Sequence, residues 1–571
     1  MKLSEKISTA EMTKAVDQLL DAGGMMAVSP MTIRGVDYPR VFDLSSVSLR
    51  DVLAMATAET QDKTFMVYEK ERYTIAQTWQ IACKFADILQ SKYNIGPGDR
   101  VALAMRNYPE WCTAYLGIMS TGATVVPINA WWKSEEIQYA LEDCGAKIVI
   151  GDAKRLGYLA GVKAKLGLTL IAAREASAVA DADYAELISQ STATQMPTTP
   201  IDPESDFCIL YTSGSTGKPK GALLTHRSIV SAILSWSCLL EAIKLARPGI
   251  DIAPENGGAL LALPLFHVTG ANSIFLLSFL TARKLVFLYR WDARTAIELI
   301  DAEKLTNFTS VPTMSKEIID AAKPGELSTL IDITTGGAKR PASQAQAQKD
   351  KLPSANVSSG YGLTETNALG CHNFLGDYLE RPESTGRVVP PVTEIKIFDP
   401  EGKELAAGEV GEVCIKSPAC FRGYLNLPDQ TAKALSSDGW FHTGDLGKID
   451  EDGFVYIVDR LKDLIIRGGE NISCLEVESA IHDYEDTQEV TVFSVPDDRF
   501  GEIVGAVIYP KQTKEFDCEG LIAVLAKHLA GYKLPEKIWI SPQQLPRGTT
   551  GKIDKNFAKK TALNFPPHYS A

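Results

Sequence analysis

A chain of 571 residues exceeds the ~250–300 residues at which a single hydrophobic core stops growing, so two or more domains are expected. Its 45% hydrophobic and 23% charged content is that of a folded globular protein and shows none of the biases of disordered, collagenous or membrane chains. The net charge of −13 would repel a phosphate backbone, so a basic nucleic-acid-binding face is excluded and any anionic ligand must be held locally.

The opening MKLSEKISTAEM lacks the apolar h-region of a secretory signal. The most apolar stretch, 257–289, is interrupted by Pro264, His267, Gly270 and Asn272 and does not read as a membrane span. A cytosolic protein without a transmembrane segment is the expectation. Ten cysteines without a CxxC pair and seven histidines without HExxH point to buried free thiols, not to a disulfide framework or a zinc motif.

The first clear element begins at Thr74, where TIAQ offers a capping box and Ile81, Ala82, Phe85, Ile88 and Leu89 follow at helical spacing. The turn GPGD (96–99), the apolar run VALAM (101–105), a helix over Pro109–Ser120 and the run ATVVPI (123–128) come next. A polar-faced helix near Ser134–Asp143 and the strand KIVIG (147–151) repeat the rhythm. Strands apolar on both faces and alternating with helices predict an α/β fold whose sheets are covered by helices.

After the strand-like FCIL (207–210) comes YTSGSTGKPKGALLTH, Tyr211 to His226. Glycines 214, 217 and 221 permit tight turns and close approach to an anion. Thr212, Ser213, Ser215 and Thr216 offer hydroxyl donors, and Lys218 and Lys220 add positive charge. A Walker A loop needs four residues between its glycines and Ser or Thr after Lys; here two intervene and Pro219 follows. A plain Gly/Ser turn is the bland reading, but GSTGKPKG has a chance of roughly 10⁻⁷ of arising in such a chain.

This loop resembles that of the adenylate-forming superfamily: acyl- and aryl-CoA synthetases, firefly luciferase and the adenylation domains of peptide synthetases. The resemblance implies ATP binding by Thr212, Ser213, Gly214, Ser215, Thr216, Gly217, Lys218 and Lys220. It runs over roughly residues 50 to 560, and further segments follow in the family's order. PLFHVTG (264–270) puts His267 where amino-acid-activating members carry the Asp that pairs with the substrate amine. An amino-acid substrate is therefore disfavoured, and His267 would lie beside the carboxylate. TTGGAK (334–339) is similar to the Gly-Gly-Ala segment that packs on adenine, implicating Gly337 and Ala338.

GYGLTET (360–366) implies that Tyr361 and Gly362 lie against adenine, that Thr364 contacts the α-phosphate and that Glu365, with Thr212, ligates Mg²⁺. STGRVVP (384–390) resembles a structural GRxxxP stretch. WFHTGD (440–445) and DRLKD (459–463) resemble the segments with which the family binds ribose, which implies that Asp445 and Arg460 make the two ribose contacts.

Near Asp459 the texture changes to two helix-like stretches and the strands EVTVFSV (489–495) and IVGAVIYP (503–510). This predicts a large N-terminal domain, 1–459, binding ATP and acid, and a small mobile α+β C-terminal domain, 460–571, although DRLKD alone would also suit a surface loop. LPRGTTGKIDK (545–555) resembles the family's catalytic-lysine motif and makes Lys552 the catalytic cation. The resemblance further implies that the small domain rotates about Lys462, bringing Gly468 and Gly469 of IRGGEN (466–471) into a coenzyme A tunnel.

The expected activity is AMP-forming ligation of a carboxylic acid, first a fatty acid, to coenzyme A. The alternatives are an aromatic or ring-bearing acid, a luciferase-like oxygenase, or a noncatalytic nucleotide-binding relative. The apolar segment 273–280, Trp236 and 311–314 suit an acyl pocket, and core packing explains them equally well. Partners are thus the small acid, ATP and coenzyme A, with a homodimer as the form of any oligomer.

Overall fold

Thr74 starts its helix as the sequence predicts. Its hydroxyl accepts from the Gln77 amide at 3.1 Å, and the Gln77 side chain accepts from the Thr74 amide at 2.9 Å. Such a cap contributes about 1 kcal/mol. The helix it opens, Ile75–Ser91, buries Ala82, Phe85, Ile88 and Leu89. The structure, a computed structural model, describes residues 6–570 apart from 213–217, 253, 255, 338–339, 341, 512–515 and 549–551.

The next predicted elements follow closely: strand Arg100–Ala104, helix Pro109–Ser120, strand Thr124–Pro127, helix Ser134–Cys144 and strand Ile148–Gly151. These strands and Thr169–Ala172 pair in parallel inside an eight-stranded sheet. A nine-stranded sheet carries a second parallel set: Thr64–Tyr68, Gly258–Leu261, Lys284–Phe287, Asn307–Ser310, Asp332–Gly336 and Asn356–Gly362. Every residue of Thr124–Pro127, Ile148–Gly151 and Gly258–Leu261 is buried. That accounts for their unbroken apolar runs, since helices cover both faces.

One core joins the two sheets, uniting Val101, Leu103 and Val125 of the first with Leu261 and Leu285 of the second. The helix His226–Ala246 runs through it. By length and composition alone this helix would cross a membrane, yet most of its residues are buried in the protein. Phe275 and Phe279, from the apolar segment 273–280, pack there against Phe65, Trp79, Trp111 and Tyr115.

A four-stranded antiparallel sheet follows, built from Glu394–Phe398, Gly411–Lys416, Phe441–Ile449 and Val455–Arg460. Past the turn at 461–463 a six-stranded sheet begins at Ile465–Arg467 and has its own core of Ile465, Val477, Ile481, Val492, Val504, Ile508 and Ile538. A large N-terminal α/β domain and a smaller C-terminal α+β domain result. The last segment holds three α-helices among the described residues, Cys474–His482, Cys518–Leu525 and Lys555–Ala562, where the sequence pattern gave two. The third escapes an apolar-period reading because it buries only Ala558 and Ala562 and leaves Phe557 exposed.

Candidate active site

The glycine-rich segment is flanked by two antiparallel strands. Asp206–Thr212 pairs with Lys220–Thr225, Thr212 stands opposite Lys220, and the Thr212 hydroxyl donates to the Lys220 carbonyl at 3.4 Å. Ser213, Gly214, Ser215, Thr216 and Gly217 lie outside the described residues. Lys218 is exposed and its ammonium lies 5.3 Å from the Tyr139 ring. Lys220 lies 5.1 Å from the ring of Tyr424. The Tyr424 hydroxyl in turn donates to Glu365 Oε1 at 2.8 Å, so one tyrosine links the loop to the acidic motif.

That motif ends the strand Asn356–Gly362, which runs parallel to Asp332–Gly336 with Gly360 opposite Gly336. The carboxyl ends of neighbouring parallel strands are where open α/β sheets bind ligands. Gly337, directly after the second strand, has φ +76°, and Ala338 lies outside the described residues. A Cβ on Gly362 would run into the Ala368 backbone. Thr364–Thr366 forms one 3₁₀ turn, and its first carbonyl accepts from the Asn367 amide at 3.1 Å.

Asn367 holds the turn in place. It has φ +53°, and its buried amide donates to the Ser228 hydroxyl at 3.1 Å and the Ala419 carbonyl at 2.8 Å while accepting from Asn272 at 2.9 Å. Glu365 is buried, and burial pushes its carboxyl above the usual range against the pull of Tyr424, Arg460 and Lys220.

Asp445 and Arg460 face each other across Phe441–Ile449 and Val455–Arg460. Arg460 Nε lies 3.1 Å from one Asp445 oxygen, and the Tyr361 hydroxyl donates to the other at 2.7 Å. Burial raises the Asp445 carboxyl, opposed first by Arg460. A bulge presents this aspartate. Glu412 pairs with Leu446 and Cys414 with His442, so Thr443, Gly444 and Asp445 are squeezed out of register. Glu412 Oε1 accepts from the Gly444 amide at 3.0 Å, and Thr443 Oγ1 donates to the Val413 carbonyl while accepting from the Asp445 amide.

Lys552 reaches this group from the C-terminal domain. Its Nζ lies 3.3 Å from where a Cβ on Gly337 would sit. Burial, then the like charge of Arg460, pushes its ammonium down to about 8, with Asp445 opposing. Among the described residues around it, Gly548 N donates to the Lys552 carbonyl at 2.7 Å, and Arg547 and the Leu545 amide both bond the buried Glu489. His267 senses the lysine too. Burial and then Lys552 push its imidazole down to about 3, so the ring is neutral across the physiological range.

The structure therefore gathers Gly337, Tyr361, Asp445, Arg460 and Lys552, with Glu365 and Lys220 joined through Tyr424. Gly468 and Gly469 stand apart from this group. They form the two-residue tip of the hairpin Ile465–Arg467/Glu470–Ile472, both with positive φ, and the Gly468 amide donates to the Phe500 carbonyl within the C-terminal domain. Lys462 is exposed in the turn between the last two sheets. Sequence reasoning missed Tyr424, Asn367 and Glu412; the strings FRGY (421–424) and GEV (411–413) hold two of them, and Asn367 directly follows GLTET.

Groups gathered at strand ends and completed by a lysine from a second domain, together with matches to two family models, make this an adenylate-forming acid–thiol ligase. The chain belongs to the AMP-binding enzyme family: the family's model matches residues 53–425, and that of the AMP-binding enzyme C-terminal domain matches 476–552. Among curated relatives, a feruloyl-CoA synthase of Amycolatopsis sp is 33% identical over 82% of this chain and 89% of its own length. A long-chain-fatty-acid–CoA ligase of Mycobacterium tuberculosis is 33% identical over 86% and 93%. The crystal structure of ATP-bound MatB from Rhodopseudomonas palustris superposes with a TM-score of 0.80 at 28% identity, covering 90% of this chain and 98% of that one.

Proposed function

We propose that this chain is an AMP-forming acyl-CoA ligase that activates a fatty acid as its acyl-adenylate and passes the acyl group to coenzyme A. The observation that carries the reading is the approach of Lys552 to Gly337 beside Asp445 and Arg460. A carboxylate oxygen attacks the α-phosphorus of ATP, the bond to pyrophosphate breaks, and negative charge grows on the nonbridging oxygens. Countercharge and positioning dominate such transfers. Lys552 and Lys220 provide that charge, and the hydroxyls of Thr364 and of the Thr212–Thr216 loop orient the phosphates. Asp445, held by Tyr361 and Arg460, accepts from the ribose hydroxyls.

Glu365 and Thr212 have the hard oxygen donors that magnesium requires, and a buried carboxylate whose proton affinity is raised by burial gains from a cation beside it. When bound, the ion would neutralise charge on the phosphates.

The second half-reaction follows when the part of the C-terminal domain beyond Lys462 turns about that residue, while Arg460 stays paired with Asp445 in the four-stranded sheet. Lys552 withdraws with the turning part, and Gly468 and Gly469 come in to line the thiol's path. The thiol then attacks the acyl carbonyl and AMP leaves. Neutral His267 lies beside the acid, where its ring carries no charge to pair with a substrate amine. Trp236, whose ring meets His372 opposite Gly360, and Met314, partly buried at the core margin, suit an apolar acyl chain.

A second reading, an aryl or ring-bearing acid, is favoured by one observation: the feruloyl-CoA synthase matches at the same 33% identity as the long-chain ligase. The reaction would run in the cytosol; all ten cysteines are free thiols and nine are buried. The deciding experiment is pyrophosphate release across fatty, aryl and amino acids, with and without coenzyme A. The fatty-acid reading requires the highest kcat/KM with an alkyl acid and thioester only when the thiol is present. Release with no acid in the panel would overturn it.

A further inference from the structure

Glu412, Cys414 and His442 form a cluster in which only Glu412 also serves the nucleotide site. Glu412 and Cys414 lie two apart on Gly411–Lys416, so their side chains share a face. His442 stands opposite Cys414 in the antiparallel ladder. One ring nitrogen, His442 Nδ1, lies 2.8 Å from Glu412 Oε2 and 3.4 Å from Cys414 Sγ. The three ligand atoms all fall within 4.8 Å of one another, and among the described residues no other group of three or more His, Cys, Asp or Glu side chains converges in this way.

Two neighbours on one nitrogen create a conflict. If Nδ1 carries a proton it donates to Glu412 and cannot accept from the thiol; if it does not, it accepts from the thiol and turns its lone pair on the carboxylate. A metal ion removes the conflict because all three groups then give lone pairs to a common centre. A tetrahedral ion with bonds of about 2.0–2.3 Å holds its ligand atoms roughly 3.3–3.8 Å apart, so these donors need to shift by about 1 Å or less. The sulfur and imidazole select a soft or borderline cation over magnesium. Cys414 is buried, while the side chains of His442 and Glu412 are 32% and 22% exposed, so the ion enters from their side.

We propose that Glu412, Cys414 and His442 form a binding site for a thiophilic divalent cation of the zinc class, with water as the fourth ligand, separate from the magnesium that accompanies ATP. Binding replaces the thiol proton, which passes to solvent, and involves no electron transfer. Occupancy engages Glu412 Oε2 and leaves Oε1 on the Gly444 amide, tying the ion to the bulge that presents Asp445.

The test uses the full chain, stripped of metal by a chelator and titrated with Co²⁺ in excess Mg²⁺ without ATP or acid. The expected result is a single bound Co²⁺ with a thiolate-to-cobalt charge-transfer band that Zn²⁺ abolishes. Cys414→Ser should remove the band, and Cys518→Ser, at the half-exposed thiol, should retain it. Absence of a thiolate band in the wild type, or a band surviving Cys414→Ser, would overturn the proposal. If circular dichroism shows Cys414→Ser unfolded, His442→Gln decides: a loss of at least about 10-fold in Co²⁺ affinity is expected, and unchanged affinity sinks the site.

Discussion

Lys552 sits where its own charge is under pressure, since burial and Arg460 bring its ammonium down to about 8. Its proposed role as countercharge requires the protonated form, so kcat/KM for ATP in pyrophosphate release should fall as pH rises through about 8. In Lys552→Arg that alkaline limb should vanish. Lys552→Ala should slow adenylate formation by ~10²–10³ while sparing thioester formation from supplied acyl-adenylate; equal losses in the two half-reactions would remove the lysine from its role. Tyr424→Phe leaves Glu365 without its hydroxyl donor. We expect a higher Mg²⁺ concentration for half-maximal rate, checked by metal titration at fixed ATP. Lys552, Asp445, Arg460 and Glu365 were named because the segments that hold them resemble the family's motifs in the family's order; alone, each reads as a turn residue or a solvated charge. Asn367 and Tyr424 were not, because their importance comes from partners 139 and 59 positions away, which no local pattern reports.

Elements were legible where a local signal set their limits. The Thr74 capping box marks a helix start, Pro109 opens a helix at its first position, and apolar runs mark the buried strands. The helix Lys555–Ala562 opens on an Asp554 cap and buries only Ala558 and Ala562, so its buried face offers little apolar signal. The GRxxxP stretch has a plain steric cause. Gly386 has φ +100°, and a Cβ there would overlap the His372 carbonyl in the adjoining strand. Gly386→Ala should therefore cost at least about 3 kcal/mol, measured as a lowered denaturant midpoint; a wild-type midpoint would contradict the packing at this crossing.

At the scale of the molecule, alternation of strands and helices announced an α/β chain, and the change of texture near Asp459 announced a second core. That two sheets would share one core was not legible, because face-to-face packing depends on shape across hundreds of residues and leaves no periodic trace. The turn at 461–463, with Leu461 and Lys462 exposed, is the covalent link between the last two sheets. Lys462→Pro should stiffen it, leaving pyrophosphate release at the wild-type rate and suppressing thioester formation; normal thioester yield would move the pivot elsewhere.

The mounting of Lys552 has a hydrodynamic corollary. Leu545 and Arg547, shortly before it in the chain, are clamped to Glu489 inside the small domain, so in the proposed rotation the withdrawal of that one charge carries the small domain with it through solvent. Friction then enters the catalytic cycle. Steady-state turnover should slow as glycerol thickens the medium, whereas a single round of adenylation, begun with the lysine already seated, should be indifferent to it.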